Sequence, residues 1–310
     1  MPRTARLDIT DLLQHVIVRG VDRCDIFRDD SDRKRFLQSL AKLLVHTGTD
    51  CLAWSLMTNH VHLLLRPRRT LLAPLMRKLL TGYAIYFNLR HKRSGHLFQN
   101  RYKSIVCEEI DYLLELVRYI HLNPLRVGLV DDLNGLDRYA WSGHSVVVGS
   151  QILEGQCVDE VLAMFAPEKR EAVKRYRQFV ADGVALGKRN ELGGERRISK
   201  DFLAELDEES YDARILGSGE FIKELRQMRE LDTKFPRVLT IREIVAAICH
   251  YYDLEPETLQ QKSRAAKVTT ARSLICYLAV RLMGHNGTEV GKQINLLRAG
   301  VSVAVTGGNR

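Results

Sequence analysis

The chain has 310 residues, 45% of them hydrophobic, which suits about two domains with real cores. No apolar run reaches the roughly 18 residues of a membrane span, the N-terminal MPRTARLDITDLLQHV lacks a signal-peptide apolar stretch, and six scattered cysteines without CxxC spacing fit reduced thiols better than a disulfide framework or zinc ribbon, so a cytoplasmic protein is expected. The net charge of +9 points to acidic partners.

HVIVRG (15–20) reads as a short strand ended by Gly20. DDSDRKRFLQSLAKLL (29–44) reads as a helix, with acids at its start and Phe36, Leu37, Leu40 and Leu44 at helical spacing. CLAWSLM (51–57) and HVHLLL (60–65) read as strands joined by Thr58-Asn59, a hairpin signal. Side chains alternate along a strand, so His60 and His62 share a face with Leu64, while Val61, Leu63 and Leu65 point to the other. Two readings are open: solvated surface histidines, or a pair of imidazole ligands.

Thr70 is placed as the cap of a long helix whose apolar side carries Leu72, Leu75, Met76, Leu79, Leu80, Tyr83 and Phe87. Tyr83, Tyr86 and Phe87 have two uses, core packing or base stacking. GHLFQNRYKSIVCEE (95–109) reads as a loop and a strand, and Asp111 opens the helix DYLLELVRYIHLNP, stopped by Pro124. The order β-α-β-β-α-β-α, with an antiparallel hairpin, predicts an α+β fold of ferredoxin-like type.

On the helix after Asp111, Tyr119 and Asn123 are four residues apart and share a face. Pro124 disfavours helical geometry at Asn123, which places that amide at a frayed end, free to bind a metal. Two neutral imidazoles and an amide leave the charge of a divalent ion available to polarise a phosphodiester. Tyr119 is then either a nucleophile or a packed aromatic.

Residues 1–150 hold 22 lysines and arginines against 15 acids, and Cys51–Cys107 holds ten basic residues and no acid. Such a field attracts polyanions and favours nucleic acid over an inert basic surface. Arg66, Arg68, Arg69, Lys78, Arg90, Lys92, Arg93, Arg101 and Lys103 are the backbone-contact candidates, with a solvated basic face as the alternative for part of them.

His60-Val61-His62 is similar to the His-hydrophobic-His motif of HUH single-strand nucleases. Together with HVIVRGVDRCDIFRDDSDRKRFL, AWSLMTNHVHLLLRP, GHLFQNRYKS and YIHLNPLRVGLV, in that order over residues 1–150, it resembles the REP-associated tyrosine transposases. The resemblance implies a ferredoxin-like sheet, a Mg²⁺ or Mn²⁺ ion at His60, His62 and Asn123, and Tyr119 as nucleophile, with Tyr112 as the fallback. It implies cleavage of single-stranded palindromic hairpin DNA through a 5′-phosphotyrosine link. His96, His121 and His144 are assigned to structural or DNA-facing places. The alternative function is a non-catalytic hairpin-binding regulator.

Residues 151–235 carry 15 basic residues against 18 acids and read as a charged helical connector. Residues 236–310 are basic again, 10 against 5. LTIREIVAAICHYYDLEPETLQQKSRAAKVTTARSLICYLAVRLMGHNGTEVGKQINLLRAGVSVAV resembles the C-terminal DNA-binding domain of DnaA. It implies a helix-turn-helix, with Thr288 as cap and Val301–Val305 in the second helix, that binds duplex DNA through Arg264, Arg272 and Arg298. The run Ala299-Gly300-Val301-Ser302 lacks the base-reading residues of DnaA, and a helical bundle that binds another protein is the alternative.

Overall fold

The computed structural model describes residues 6–187, 192, 212, 214–228, 231, 239–261, 263, 265–283 and 285–307. The chain divides into two compact units, Met1–Lys234 and Phe235–Arg310.

In the first unit the sheet is built from β1 (Leu13–Arg19), β2 (Thr49–Leu56), β3 (His60–Pro67), β4 (Lys103–Cys107) and a two-residue β5 (Ile215–Leu216), in the order β2-β3-β1-β4-β5. The first four strands are antiparallel and in ferredoxin-like order; β5 adds parallel to β4. Two layers follow from strand alternation. Val16, Val18, Val61, Leu63 and Leu65 pack against α1 (Asp30–Thr47) and α2 (Leu72–Arg90). Leu13, Ile17, Leu64, Ile105 and Cys107 pack against α3 (Glu109–Arg126). Tyr83 and Phe87 belong to the first core, and the Tyr83 hydroxyl donates to the Ile26 carbonyl, so they pack and do not stack bases.

Several helix ends differ from the sequence reading. The Asp8 carboxylate accepts from the Leu72 and Ala73 amides and caps α2, a long-range cap that no local pattern displays; Thr70 instead donates to the Thr47 carbonyl. α3 runs through Pro124 to Arg126. The proline ring forfeits one backbone bond, and the Val127 amide still reaches the Asn123 carbonyl at 3.1 Å. Asn123 is therefore a buried residue of a continuous helix, and not a frayed end.

After α3 come α4 (Leu133–Arg138), α5 (Gly143–Val147), α6 (Val158–Ala163) and α7 (Lys169–Asp182). Val161, Leu162, Tyr176 and Val180 enter the α3-side core, so these helices, read from charge as a connector, are part of the first unit. The charged residues of α7 face outward while Ala172, Tyr176 and Val180, four apart, face in. α8 (Gly219–Gln227) is capped by Ser218.

The second unit contains α9 (Ile241–Tyr252), α10 (Ala266–Cys276), a π-turn over Tyr277–Leu282, α11 (Gly287–Gln293) and α12 (Arg298–Gly307). A Thr240–Glu243 capping box opens α9. Asn286, two residues before the expected Thr288, caps α11. The turn into α12 is tight: a Cβ at Gly291 would lie 2.3 Å from the Leu296 carbonyl oxygen, so only glycine fits. Val290, Ile294 and Val301 close this corner onto Ile244, Ile248 and Ile275. Among the described residues no helix is long and apolar enough to cross a membrane, and all six cysteines are free thiols.

Candidate active site

The site forms where β3 and β1 meet α3. The β1–β3 register sets Ile17 opposite His62 and Arg19 opposite His60, so His15, Ile17 and Arg19 line the same face as the two histidines. The His60 and His62 rings are 5.0 Å apart, edge to face. The half-buried Tyr119 ring meets His62 edge-on at 5.8 Å and His15 at 6.0 Å. Asn123 lies one turn further along the same helix face. The helix and strand therefore bring Tyr119 and the His pair together.

His15 is a residue that sequence reasoning missed. Its Nε2 lies 2.9 Å from Nδ1 of His62, the ring centroids are 5.1 Å apart with 26° between planes, and it is fully buried. Arg19 was missed with it and bears on His60 and His62 electrostatically. The period-two pattern of HVIVRG puts His15, Ile17 and Arg19 on one face, which is the signal that could have found both.

Burial holds these imidazoles neutral. It pushes His15 down to about 4, partly opposed by the Leu192 backbone. It pushes His60 to about 4, with Arg19 adding to the shift, and carries His62 well below the ordinary value, with His15, His60 and Arg19 contributing. Neutral imidazole is the form that binds a metal.

The donor set fits a divalent cation. Asn59 donates from Nδ2 to the Arg23 carbonyl, which turns its Oδ1 to His60, and His60 Nδ1–H donates to that oxygen at 2.7 Å. The Nε2 lone pair of His60 is thereby left for a ligand. The buried Asn123 Nδ2 has no partner among the described residues. Two imidazole nitrogens and an amide oxygen are neutral and leave the full charge of the ion for a phosphate.

Residues 8–123 match the family model described as Transposase IS200 like. The first unit thus carries an IS200-like transposase domain. Residues 241–306 match the model of the bacterial dnaA protein helix-turn-helix, and the second unit is a domain of that type. No curated protein matches the chain. Among solved structures, a REP-associated tyrosine transposase bound to a REP hairpin is similar over 50% of this chain and 90% of that chain, at 16% identity and a TM-score of 0.39.

The transposase domain redistributes the basic candidates. Arg66 is 4% exposed and held by Asp50 at 3.0 Å, Glu109 at 2.5 Å and Glu160 at 2.6 Å, so it is a structural cation and not a DNA contact. Arg68 pairs with Asp11 and Asp50, and Arg90 with Asp29 and Asp32. Acids from outside the acid-free stretch thus pair with Arg66, Arg68 and Arg90 within it. Lys78 and Arg90 lie on α2 and Lys92 and Arg93 just after it, in the layer across the sheet from the histidines. Arg93 is half-buried beside the Phe87 ring. Arg69, Lys92, Arg101 and Lys103 are exposed. Of the nine, strand alternation puts Lys103, opposite Ile17, and the ion-paired Arg66, two residues past Leu64, on the histidine face.

Behind Tyr119, His121 is buried and its Nδ1 meets the Tyr176 hydroxyl at 2.7 Å. That hydroxyl also meets His144 Nδ1 at 2.9 Å, and His144 Nε2 meets Asp137 at 2.8 Å. The network ties the back of α3 to α7 and makes His121 and His144 structural. His96 is exposed.

In the second unit Arg272 is also a correction. It is 8% exposed, and its guanidinium donates to the carbonyls of Leu259, Gln261 and Ser263, so it braces the core and does not meet DNA. Arg264 and the side chain of Arg298 lie outside the described residues.

Proposed function

We propose that the transposase domain nicks and rejoins single-stranded hairpin DNA with Tyr119 as nucleophile. The Tyr119 hydroxyl oxygen attacks the scissile phosphorus and gives up its proton. The bond from phosphorus to the 3′ oxygen breaks, and that oxygen leaves as a 3′-hydroxyl. The product is a 5′-phosphotyrosine, which keeps the phosphodiester energy, so another 3′-hydroxyl can reverse or redirect the step. Mg²⁺ or Mn²⁺ held by His60, His62 and Asn123 would polarise the phosphate and offset its developing charge. Lys103 on the histidine face, and Arg69, Lys78, Lys92 and Arg101 elsewhere on the surface, are the exposed candidates for backbone contacts.

The observation that carries this reading is the edge contact of the Tyr119 ring with His62 at 5.8 Å, which brings a nucleophile beside a ligand pair. The test uses single-stranded palindromes taken from beside the protein's own gene. Wild-type protein with Mg²⁺ or Mn²⁺ is expected to nick them, and Tyr119→Phe to bind but not nick. Nicking that persists in excess EDTA would remove the metal, and binding without nicking by the wild type would favour the non-catalytic regulator.

The second unit is proposed to add duplex-DNA affinity, with α12 entering a major groove. A fragment 1–235 that nicks normally but binds duplex poorly supports this division; one that folds and cannot nick contradicts it.

A further inference from the structure

Each of the two ligand histidines has its Nδ1 engaged. His60 faces an amide oxygen, which can only accept, so its tautomer is fixed with the proton on Nδ1. His62 faces another imidazole, and a hydrogen bond between two neutral rings runs in either direction. The direction decides whether His62 has a lone pair or a proton on Nε2, hence whether it can ligate at all.

We propose that His15 is a positioning residue whose Nε2 accepts the Nδ1–H of His62 and so holds that ring with its Nε2 lone pair turned to a divalent cation. The inference rests on the metal reading of His60, His62 and Asn123. Three features of the structure support it. The 2.9 Å separation is that of a full hydrogen bond, and His15 is 0% exposed, so water cannot replace it. The ring centroids are 5.1 Å apart with 26° between planes, so the two rings lie edge to edge and nearly coplanar, the arrangement a hydrogen bond between ring nitrogens requires. Both residues sit on paired strands of one sheet, with His15 opposite Leu64 and Ile17 opposite His62, so their spacing is set by backbone register. A ligating imidazole that donates its second N–H to a buried acceptor is the usual outer-sphere arrangement of metal sites.

Two readouts on the full chain test this without measuring cleavage. Long-range ¹H–¹⁵N NMR of metal-free protein, with His62 assigned by its loss in His62→Ala, should show His62 protonated on Nδ1 and bare on Nε2. A proton on Nε2 overturns the proposal. Mn²⁺ binding by electron paramagnetic resonance should weaken about 10–100-fold in His15→Ala. It should return to within about threefold of wild type in His15→Gln, whose amide oxygen can accept at a similar reach. A folded His15→Ala that binds Mn²⁺ like wild type overturns the proposal while loss of binding in His62→Ala leaves the metal reading standing. Wild-type protein that binds no Mn²⁺ removes that reading and this inference with it. Should His15→Ala not fold, the His62 tautomer of the wild type decides.

Discussion

Replacing Arg66 with methionine separates a structural cation from a DNA contact. The guanidinium is the shared partner of Asp50, Glu109 and Glu160. Methionine fills the volume but leaves three carboxylates facing one another. Removing one member of a buried ion cluster costs about 3–5 kcal/mol. The carboxylate side chains retain 26–39% exposure and keep some of their water, which places the loss near the lower end, about 3 kcal/mol. For a unit of this size that is a fall in Tm of about 6–12 °C. The assay is thermal denaturation beside single-strand binding at several salt concentrations, measured below the variant's Tm. The structure predicts a large Tm drop and an unchanged salt slope. An unchanged Tm, with a slope reduced by about 0.7 for one lost phosphate contact, would refute the reasoning.

His60→Ala and His62→Ala should each abolish metal-dependent nicking, and Asn123→Ala should weaken it less, because water can replace a neutral amide oxygen; equal loss in all three, measured by nicking against Mn²⁺ concentration, contradicts this. Folding disfavours the protonated form of His15, held at about 4, so in metal-free protein its contribution is complete above about 6.5 and is lost as pH falls toward 4. Chemical denaturation at pH 7 and pH 5 should show wild type losing about 2 kcal/mol more than His15→Gln, and parallel losses contradict the burial argument. Arg272→Ala should destabilise the second unit by about 2–3 kcal/mol, because three carbonyls lose their donor. If Arg264 and Arg298 each meet a phosphate, the duplex-binding salt slope from these contacts is about −2, and Arg272→Ala should leave it unchanged.

The order of strands and helices, and the face shared by His60 and His62, were legible because both follow from local periodicity. Tyr119 and Asn123 were legible for the same reason, at helical spacing. What stayed hidden depends on pairing between distant segments. His15 joins the site only through the β1–β3 register, 47 residues away from His62. Arg66 looked like a free cation because Glu109 and Glu160 lie 43 and 94 residues further on. Asp8 caps α2 from 64 residues upstream. Charge composition hid the inward face of α7, where three residues four apart decide its place in the core.

The central claim is that Tyr119 forms the covalent bond to DNA. Wild-type protein incubated with Mn²⁺ and a single-stranded hairpin, digested with trypsin and read by mass spectrometry, should yield one nucleotidyl peptide carrying the 5′ phosphate on Tyr119. A modified peptide on Tyr112, or nicked product with no covalent peptide, would contradict the account.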